Sequence, residues 1–130
     1  MFGWLRRKKQ APLSGAPAAP REKSYSAESG YVYSYLYRGH RPCRGDTEYV
    51  FEVSADRRTF SPVSVFLSEA ALAPWQTAHR RELTAAERYA IAKLSLQRAL
   101  DQSPGPARLS REVRIGPDIV AEILEKLGAG

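Results

Sequence analysis

The residues best suited to chemistry lie close together, between positions 38 and 46. This stretch holds three arginines, one of two histidines and the single cysteine of the chain: Arg38, His40, Arg41, Cys43 and Arg44. Guanidinium groups bind phosphate and carboxylate oxygens, so the arginines with His40 form a candidate anion-binding site. Two glycines and a proline here are typical of a loop. We favour a solvated hairpin loop over the anion site, because loops collect polar residues and the nearby Asp46, Glu48 and Glu52 could neutralise the arginines.

Cys43 is the second candidate for reactivity, because neighbouring cations favour the thiolate form that acts as a nucleophile. A nucleophilic cysteine also needs a base, and His40 and His79 are the only histidines. His40 and Cys43 have the spacing of a metal-binding pair, but no second pair of cysteine or histidine residues completes a site. The chain also lacks a glycine-rich phosphate loop and a serine nucleophile elbow. We predict no catalytic residue, no metal site and no cofactor, and a protein that is not an enzyme.

The net charge of +6 is concentrated in the first 24 residues. They hold six basic side chains and one acidic side chain, a net charge of +5, whereas residues 25–130 hold 14 basic and 13 acidic side chains, a net charge of +1. This distribution argues against a globally basic nucleic-acid-binding domain. Nucleic-acid binding through the tail and the arginines of residues 38–44, with Arg57 and Arg58, is the alternative function.

The N-terminal tail combines aromatic and basic side chains that suit an anionic membrane surface: Phe2, Trp4, Arg6, Arg7, Lys8 and Lys9. Each cation near such a surface contributes about 1 kcal/mol. The apolar part is too short for a secretory signal and precedes the basic residues, and an organelle transit peptide ranks below the membrane hypothesis. Three prolines interrupt residues 11–20, so we interpret residues 1–24 as a disordered basic tail and linker. We expect a cytoplasmic protein, with the tail at the inner face of a membrane as the sharper hypothesis.

The most strongly patterned stretch is 31–37, which has a tyrosine at every second position: Tyr31, Tyr33, Tyr35 and Tyr37. Side chains of an extended strand alternate between faces, so the four tyrosines share one face. Two further strands, 47–55 and about 60–67, alternate apolar and polar residues. Their short connections predict an antiparallel meander.

The orientation of the tyrosines decides what the sheet can do. If Val32 and Leu36 join the core, the tyrosines lie on the opposite face beside Val50 and Phe66, with Glu48 and Glu52 at the edge. We favour this arrangement, which gives an aromatic partner-binding surface of Tyr31, Tyr33, Tyr35, Tyr37, Val50 and Phe66. In the alternative the tyrosines are core residues whose hydroxyls must find partners.

Helical patterns follow the strands. Pro74 and Pro117 suit the first position of two short helices, and Thr84 with Glu87 matches a capping box for a long helix ending near residue 102. This long helix has a second apolar side, with Ile91 and Leu94, that needs cover from another helix or another chain. With a short strand at 112–115, the order is β-β-β-α-α-β-α. We predict an α+β domain over residues 25–130, with a three- or four-stranded antiparallel sheet and helices packed on one face.

The function expected from these patterns is that of a small intracellular protein-interaction module without catalytic activity. Its partner is another protein or a second copy of the chain. Contact is expected through the aromatic sheet face or through the side of the long helix that carries Ile91 and Leu94. The basic tail adds a contact with an anionic surface, and nucleic acid ranks lower as a partner.

Overall fold

A five-stranded sheet and three helices make up the computed structural model, which describes residues 10–130. The strands are β1 (Lys23–Ser26), β2 (Val32–Cys43), β3 (Asp46–Ser54), β4 (Ser61–Ser68) and β5 (Glu112–Arg114). The helices are α1 (Glu69–His79), α2 (Ala85–Gln102) and α3 (Pro117–Lys126), and a 3₁₀ turn lies at Pro106–Arg108. The predicted α+β class is confirmed. None of the helices described has the length and hydropathy needed to cross a membrane.

The sheet differs from the prediction in strand number and in direction. The strands lie side by side in chain order, with β1 to β4 antiparallel and β5 parallel to β4. The parallel pair arises because α1 and α2 carry the chain back along the sheet before β5 begins. Strand β1 was not predicted, since the sequence Lys-Ser-Tyr-Ser is short and polar. Its Tyr25 hydroxyl donates to Asp101 of α2 at 2.6 Å, and this hydrogen bond raises the pKa of Tyr25 to about 12.

Strand β2 continues through the residues that were predicted to form a basic loop. A bulge at Gly39, where φ is +121°, shifts the register and lets the strand run on to Cys43. The true turn has only two residues, Arg44 and Gly45, with φ values of +52° and +86°. Positive φ at both positions is the pattern of the tight hairpin turn that matches strand twist. The loop prediction is therefore wrong for residues 38–43.

The preferred orientation of the tyrosines is also corrected. Tyr33 and Tyr35 are only 1% and 3% exposed, Tyr37 is half-buried, and Tyr31 lies before β2 with 45% exposure. The register pairs Tyr35 with Val53 and Tyr37 with Phe51, which belong to the core. Two of the hydroxyls find the partners that burial requires: Gln97 Nε2 donates to Tyr35 at 3.2 Å, and Tyr37 shares a hydrogen bond of 3.0 Å with His40 Nδ1. The buried hydroxyl of Tyr33 has no hydrogen-bond partner among the described residues.

The core lies between this tyrosine-bearing side of the sheet and the helices. Its fully buried side chains include Phe51, Val63, Val65, Leu72, Ile91, Leu96, Leu100, Val120 and Leu124. The second apolar side of α2 is thus covered within the chain, since Ile91 has no exposed surface and Leu94 packs against the core. The predicted partner contact through Ile91 and Leu94 is therefore corrected: this side of α2 is part of the interior.

The helix starts show where local sequence determines structure. The capping box is confirmed: Glu87 N donates to the Thr84 hydroxyl at 3.1 Å, and Thr84 N donates to the Glu87 carboxylate at 2.9 Å. Helix α1 begins earlier than predicted, at Glu69, where Ser68 accepts a hydrogen bond from Ala71 N. Pro74 is consequently inside the helix, where it removes one backbone hydrogen bond. The helix continues through Pro74 because Ala71, Leu72 and Trp75 are buried against the core.

Candidate functional site

The face of the sheet opposite the core, called here the outer face, carries a row of side chains across four strands. The pairing register aligns Arg41, Glu48, Phe66 and Arg114 in this row. Phe66 and its neighbour Val50 are each 8% exposed but do not belong to the core cluster. As the sequence predicted, Val50 and Phe66 share a face with Glu48. The tyrosines predicted to join them lie on the other face.

The centre of the row is a hydrogen-bonded carboxylate. Arg41 Nε donates to Glu48 Oε1 at 2.9 Å, and the Ser64 hydroxyl donates to Glu48 Oε2 at 2.6 Å. Burial acts to raise the pKa of Glu48, but the hydrogen bonds from Arg41 and Ser64 outweigh it and hold that pKa below its ordinary value. Glu48 therefore stays ionised at neutral pH and neutralises Arg41.

The predicted anion-binding residues do not converge. Arg38 forms an exposed ion pair with Glu52 at 3.4 Å, and Arg41 is occupied by Glu48. His40 lies opposite Tyr49, on the core side of the sheet, whereas Arg44 is exposed at the hairpin turn. The four residues thus contribute to three different parts of the molecule, and acidic side chains neutralise two of them.

A groove of about 660 Å³ runs over the outer face at the hairpin end. Its lining includes Gln10, Arg41, Cys43, Arg44, Phe66 and Arg114. The Arg114 guanidinium lies 4.2 Å from the centre of the Phe66 ring, in cation–π contact, and also pairs with Glu112 at 3.0 Å. The groove therefore combines an aromatic floor with charged walls.

Cys43 lines this groove but has no histidine beside it. The imidazole of His40 is directed to Tyr37 on the core side, while Cys43 lies opposite Asp46 on the outer face. The strand alternation thus separates the two residues that were considered as a reactive or metal-binding pair. Within residues 10–130, no group of three or more His, Cys, Asp or Glu side chains could hold a metal ion. His79 stacks on Trp75, with ring centroids 4.0 Å apart.

The linker is attached to the sheet edge next to the bulge. Ser14 N donates to His40 O at 2.9 Å, and His40 N donates to Ser14 O at 2.8 Å, so one residue of the linker pairs with β2. A Cβ atom on Gly39 would stand 2.7 Å from Ser14 O, and one on Gly15 would stand 2.6 Å from the His40 ring. Glycine is therefore required on both sides of this contact. The predicted tail residues that precede position 10, which include the membrane-contact candidates, lie outside the described residues.

A second cavity, on the core side of the same edge, was missed by the sequence reasoning. It is a cleft of about 340 Å³ lined by Gly15, Pro17, Arg21, Lys23, Tyr35, Tyr37 and Tyr89. The basic residues were assigned to the tail, because the short strand β1 that positions Lys23 opposite Tyr35 was not recognised. The sequence signal for strand β1 was weak, because it consists only of two cations followed closely by a Ser-Tyr-Ser sequence.

Comparisons with known proteins return no match. No family model fits the chain, and neither the curated proteins nor the solved structures contain a chain significantly similar to it. The outer-face groove and the core-side cleft, with the residues around them, are the features from which a function is proposed.

Proposed function

We propose that this chain is a non-catalytic protein-interaction module that binds a partner protein in the groove on its outer face. The observation that supports the proposal is the row of Arg41, Glu48, Phe66 and Arg114, which places an aromatic floor between charged groups. Aromatic and arginine side chains carry a large share of the binding energy in protein interfaces. The tyrosine surface is no part of this proposal.

Arg41 needs little ordering when a partner binds. Its guanidinium donates to the buried carboxylate of Glu48, so this long side chain already has a defined position. Ordering such a side chain on binding costs about 0.5–1.5 kcal/mol, and the pair with Glu48 reduces that cost. The pair of Arg114 with Glu112 is exposed, so Arg114 contributes mainly through its contact with the Phe66 ring.

The charges of the groove indicate the chemistry of the partner. Its lining carries three arginines and two glutamates, and Arg44 forms no ion pair with any residue that the structure describes. We therefore propose a partner segment that inserts an apolar side chain against Phe66 and presents an acidic side chain to Arg44. The pairing of Arg38 and Arg41 with glutamates weakens the case for nucleic acid at the same surface.

The proposal includes a cytoplasmic location, which the single cysteine of the chain supports because it fits a reducing compartment. It also includes contact of tail residues 2–9 with an anionic membrane surface, supported by the composition of the tail. Vesicles with and without anionic lipid test this last part: loss of lipid binding on deletion of residues 2–9 is expected, and equal binding to neutral vesicles would contradict it.

Affinity capture with outer-face variants tests the main proposal. The full chain should retain a specific partner protein, and Phe66→Ser or Arg114→Glu should each reduce its recovery at least about tenfold, as expected for a residue at the centre of an interface. The matched control is Arg108→Glu, which reverses an exposed charge on the 3₁₀ turn outside the groove. Equal recovery by all variants, or salt-sensitive retention of RNA or DNA that Arg57→Glu and Arg58→Glu abolish, would overturn the proposal.

A further inference from the structure

We propose that the cleft at the linker edge binds a small aromatic anion, a planar ring that carries a carboxylate or a phosphate group. This cleft is distinct from the groove of the proposed function, because Tyr35 and Tyr37 lie on the core side of the sheet and Arg41 and Phe66 lie on the outer face. The inference rests on three features of the cleft: its aromatic wall, its charge and its size.

The aromatic wall is held by ring contacts and hydrogen bonds. The rings of Tyr37 and Tyr89 are 4.7 Å apart at an angle of 56°, and Phe51 supports Tyr37 from behind at 5.3 Å. The hydroxyl of Tyr35 is held by Gln97, and the hydroxyl of Tyr37 is held by His40. Rings at such angles leave faces and edges on which another flat ring can pack in offset or edge-to-face contact.

The charge of the cleft favours an anionic ligand. Three tyrosines alone would suit a quaternary ammonium ion, but the cations Arg21 and Lys23 stand in the same lining and oppose one. No carboxylate belongs to the lining, and neither cation is ion-paired within the part of the chain that the structure describes. The one acidic residue between them, Glu22, pairs instead with Arg57 at 2.8 Å. The two cations are thus available to an anionic group.

The tyrosines add no negative charge that would oppose this group. Burial raises the pKa of Tyr37 and of Tyr89 above the ordinary value, so both phenols stay protonated at neutral pH. A protonated phenol can also donate a hydrogen bond to a carboxylate or phosphate oxygen.

The size of the cleft and its wall limit the ligand. A volume of about 340 Å³ lies at the lower end of the range for small-molecule sites, so one single or fused ring with one anionic group fills it. Gly15 and Pro17 also line the cleft, and the pairing of the adjacent Ser14 with His40 holds this part of the linker at the sheet. The linker therefore contributes part of the lining.

Titration followed by NMR separates the contributions of ring and charge. Phenyl phosphate and benzoate carry both, phenol carries only the ring, and inorganic phosphate carries only the charge. At least one of the first two should shift the signals of Lys23, Tyr35 and Tyr89 and should bind at least about tenfold more tightly than phenol or inorganic phosphate. The better of the two shows whether the natural anion is a carboxylate or a phosphate. Equal binding of inorganic phosphate, equal binding of phenol, tighter binding of benzyltrimethylammonium, or no binding of either aromatic anion would each overturn the inference.

Charge-reversal variants locate the site. Arg21→Glu and Lys23→Glu should each weaken binding of the better aromatic anion at least about tenfold, because each replaces an attraction with a repulsion. Both positions are exposed, so the variants should keep the thermal unfolding midpoint of the native chain. Lys126→Glu, the same exchange at the end of α3, should change the affinity less than about twofold. Arg114→Glu in the outer groove should also leave this affinity unchanged, which separates the inference from the proposed function. Equal affinity of Lys23→Glu, Arg21→Glu and Lys126→Glu would overturn the site.

Discussion

Glu48 connects three strands through one carboxylate. It lies on β3, accepts hydrogen bonds from Arg41 on β2 and from Ser64 on β4, and is buried. A buried carboxylate is costly unless hydrogen-bond donors surround it, so the contribution of Arg41 to stability exceeds that of an exposed ion pair.

Removal of the Arg41 charge should therefore be destabilising. We predict that Arg41→Met lowers the free energy of unfolding by about 2 kcal/mol, because Glu48 remains buried with one donor fewer. The double variant Arg41→Met with Glu48→Met should recover part of this loss, since no unpaired charge is left. Urea denaturation measures both.

The matched control is Arg38→Met, which breaks the exposed pair with Glu52 and should cost less than about 1 kcal/mol. A loss for Arg41→Met no larger than that for Arg38→Met would show that Glu48 is better solvated than its surroundings indicate.

Glu87 gives a prediction about pH. The bidentate hydrogen bond from Arg81, with the backbone amide of Thr84, lowers the pKa of Glu87 from 4.5 to about 2. A carboxyl whose pKa is lower in the folded state stabilises the fold at pH values above its unfolded pKa. That stability is lost as the pH falls through the folded pKa. Acid unfolding should thus steepen between about pH 4.5 and pH 2.

Glu87→Gln should flatten the fall in unfolding free energy in this pH window, measured by urea denaturation at a series of pH values. The control is Glu125→Gln, which removes an exposed carboxylate from α3 that is in no ion pair within residues 10–130. If both variants show the same dependence of unfolding free energy on pH as the native chain, the hydrogen bonds of Glu87 do not stabilise the fold in this pH window.

At the scale of elements, the parts that could be predicted are those with local causes. Thr84 and Glu87 define the start of α2 three residues apart, and Pro117 defines the start of α3, so both helices were predicted with nearly correct bounds. The orientation of Tyr33 could not be predicted in this way. Alternation places four tyrosines on one face but does not say which face meets the helices, because register is set by pairing with a distant strand.

The candidate site residues likewise divide into those placed by local patterns and those placed by long-range contacts. Val50 and Phe66 were predicted to share a face because alternation within β3 and β4 is local. The arginines of β2 were mistaken for a loop because Gly39 reads as a loop signal, whereas in the folded chain it accommodates a bulge and the approach of Ser14. The aromatic cleft depends on this long-range contact, because the contact brings Gly15 and Pro17 to the sheet and no local pattern of the sequence encodes it.

The contact between Gly39 and the linker leads to a prediction with an internal control. Gly39 and Gly45 both have positive φ, but an added Cβ atom meets the Ser14 backbone at Gly39 and open space at Gly45. Gly45→Ala should cost about 1 kcal/mol from backbone strain alone, and Gly39→Ala should cost about 1 kcal/mol more. Denaturant unfolding measures the difference, and equal losses for the two variants would contradict the docking of the linker.

At the scale of the molecule, the linker connects the two proposed sites. Gln10 and Ala11 line the outer groove, Gly15 and Pro17 line the aromatic cleft, and Ser14 is paired with β2 between them. One sheet edge thus separates a surface suited to a protein from a cleft suited to a small anion. Helices cover only the core side of the sheet in the described chain, which leaves the row from Arg41 to Arg114 for a partner.

Site-specific photo-crosslinking in cells tests whether the outer face binds a partner protein. A photoreactive phenylalanine analogue replaces Gln10, an exposed residue that lines the outer groove, in one variant and Lys126 at the end of α3 in another. We expect covalent capture of a partner protein from position 10 but not from position 126, and loss of the capture when Phe66→Ser is added. Capture from position 126 alone, or capture from position 10 that Phe66→Ser does not reduce, would show that the partner does not bind in this groove.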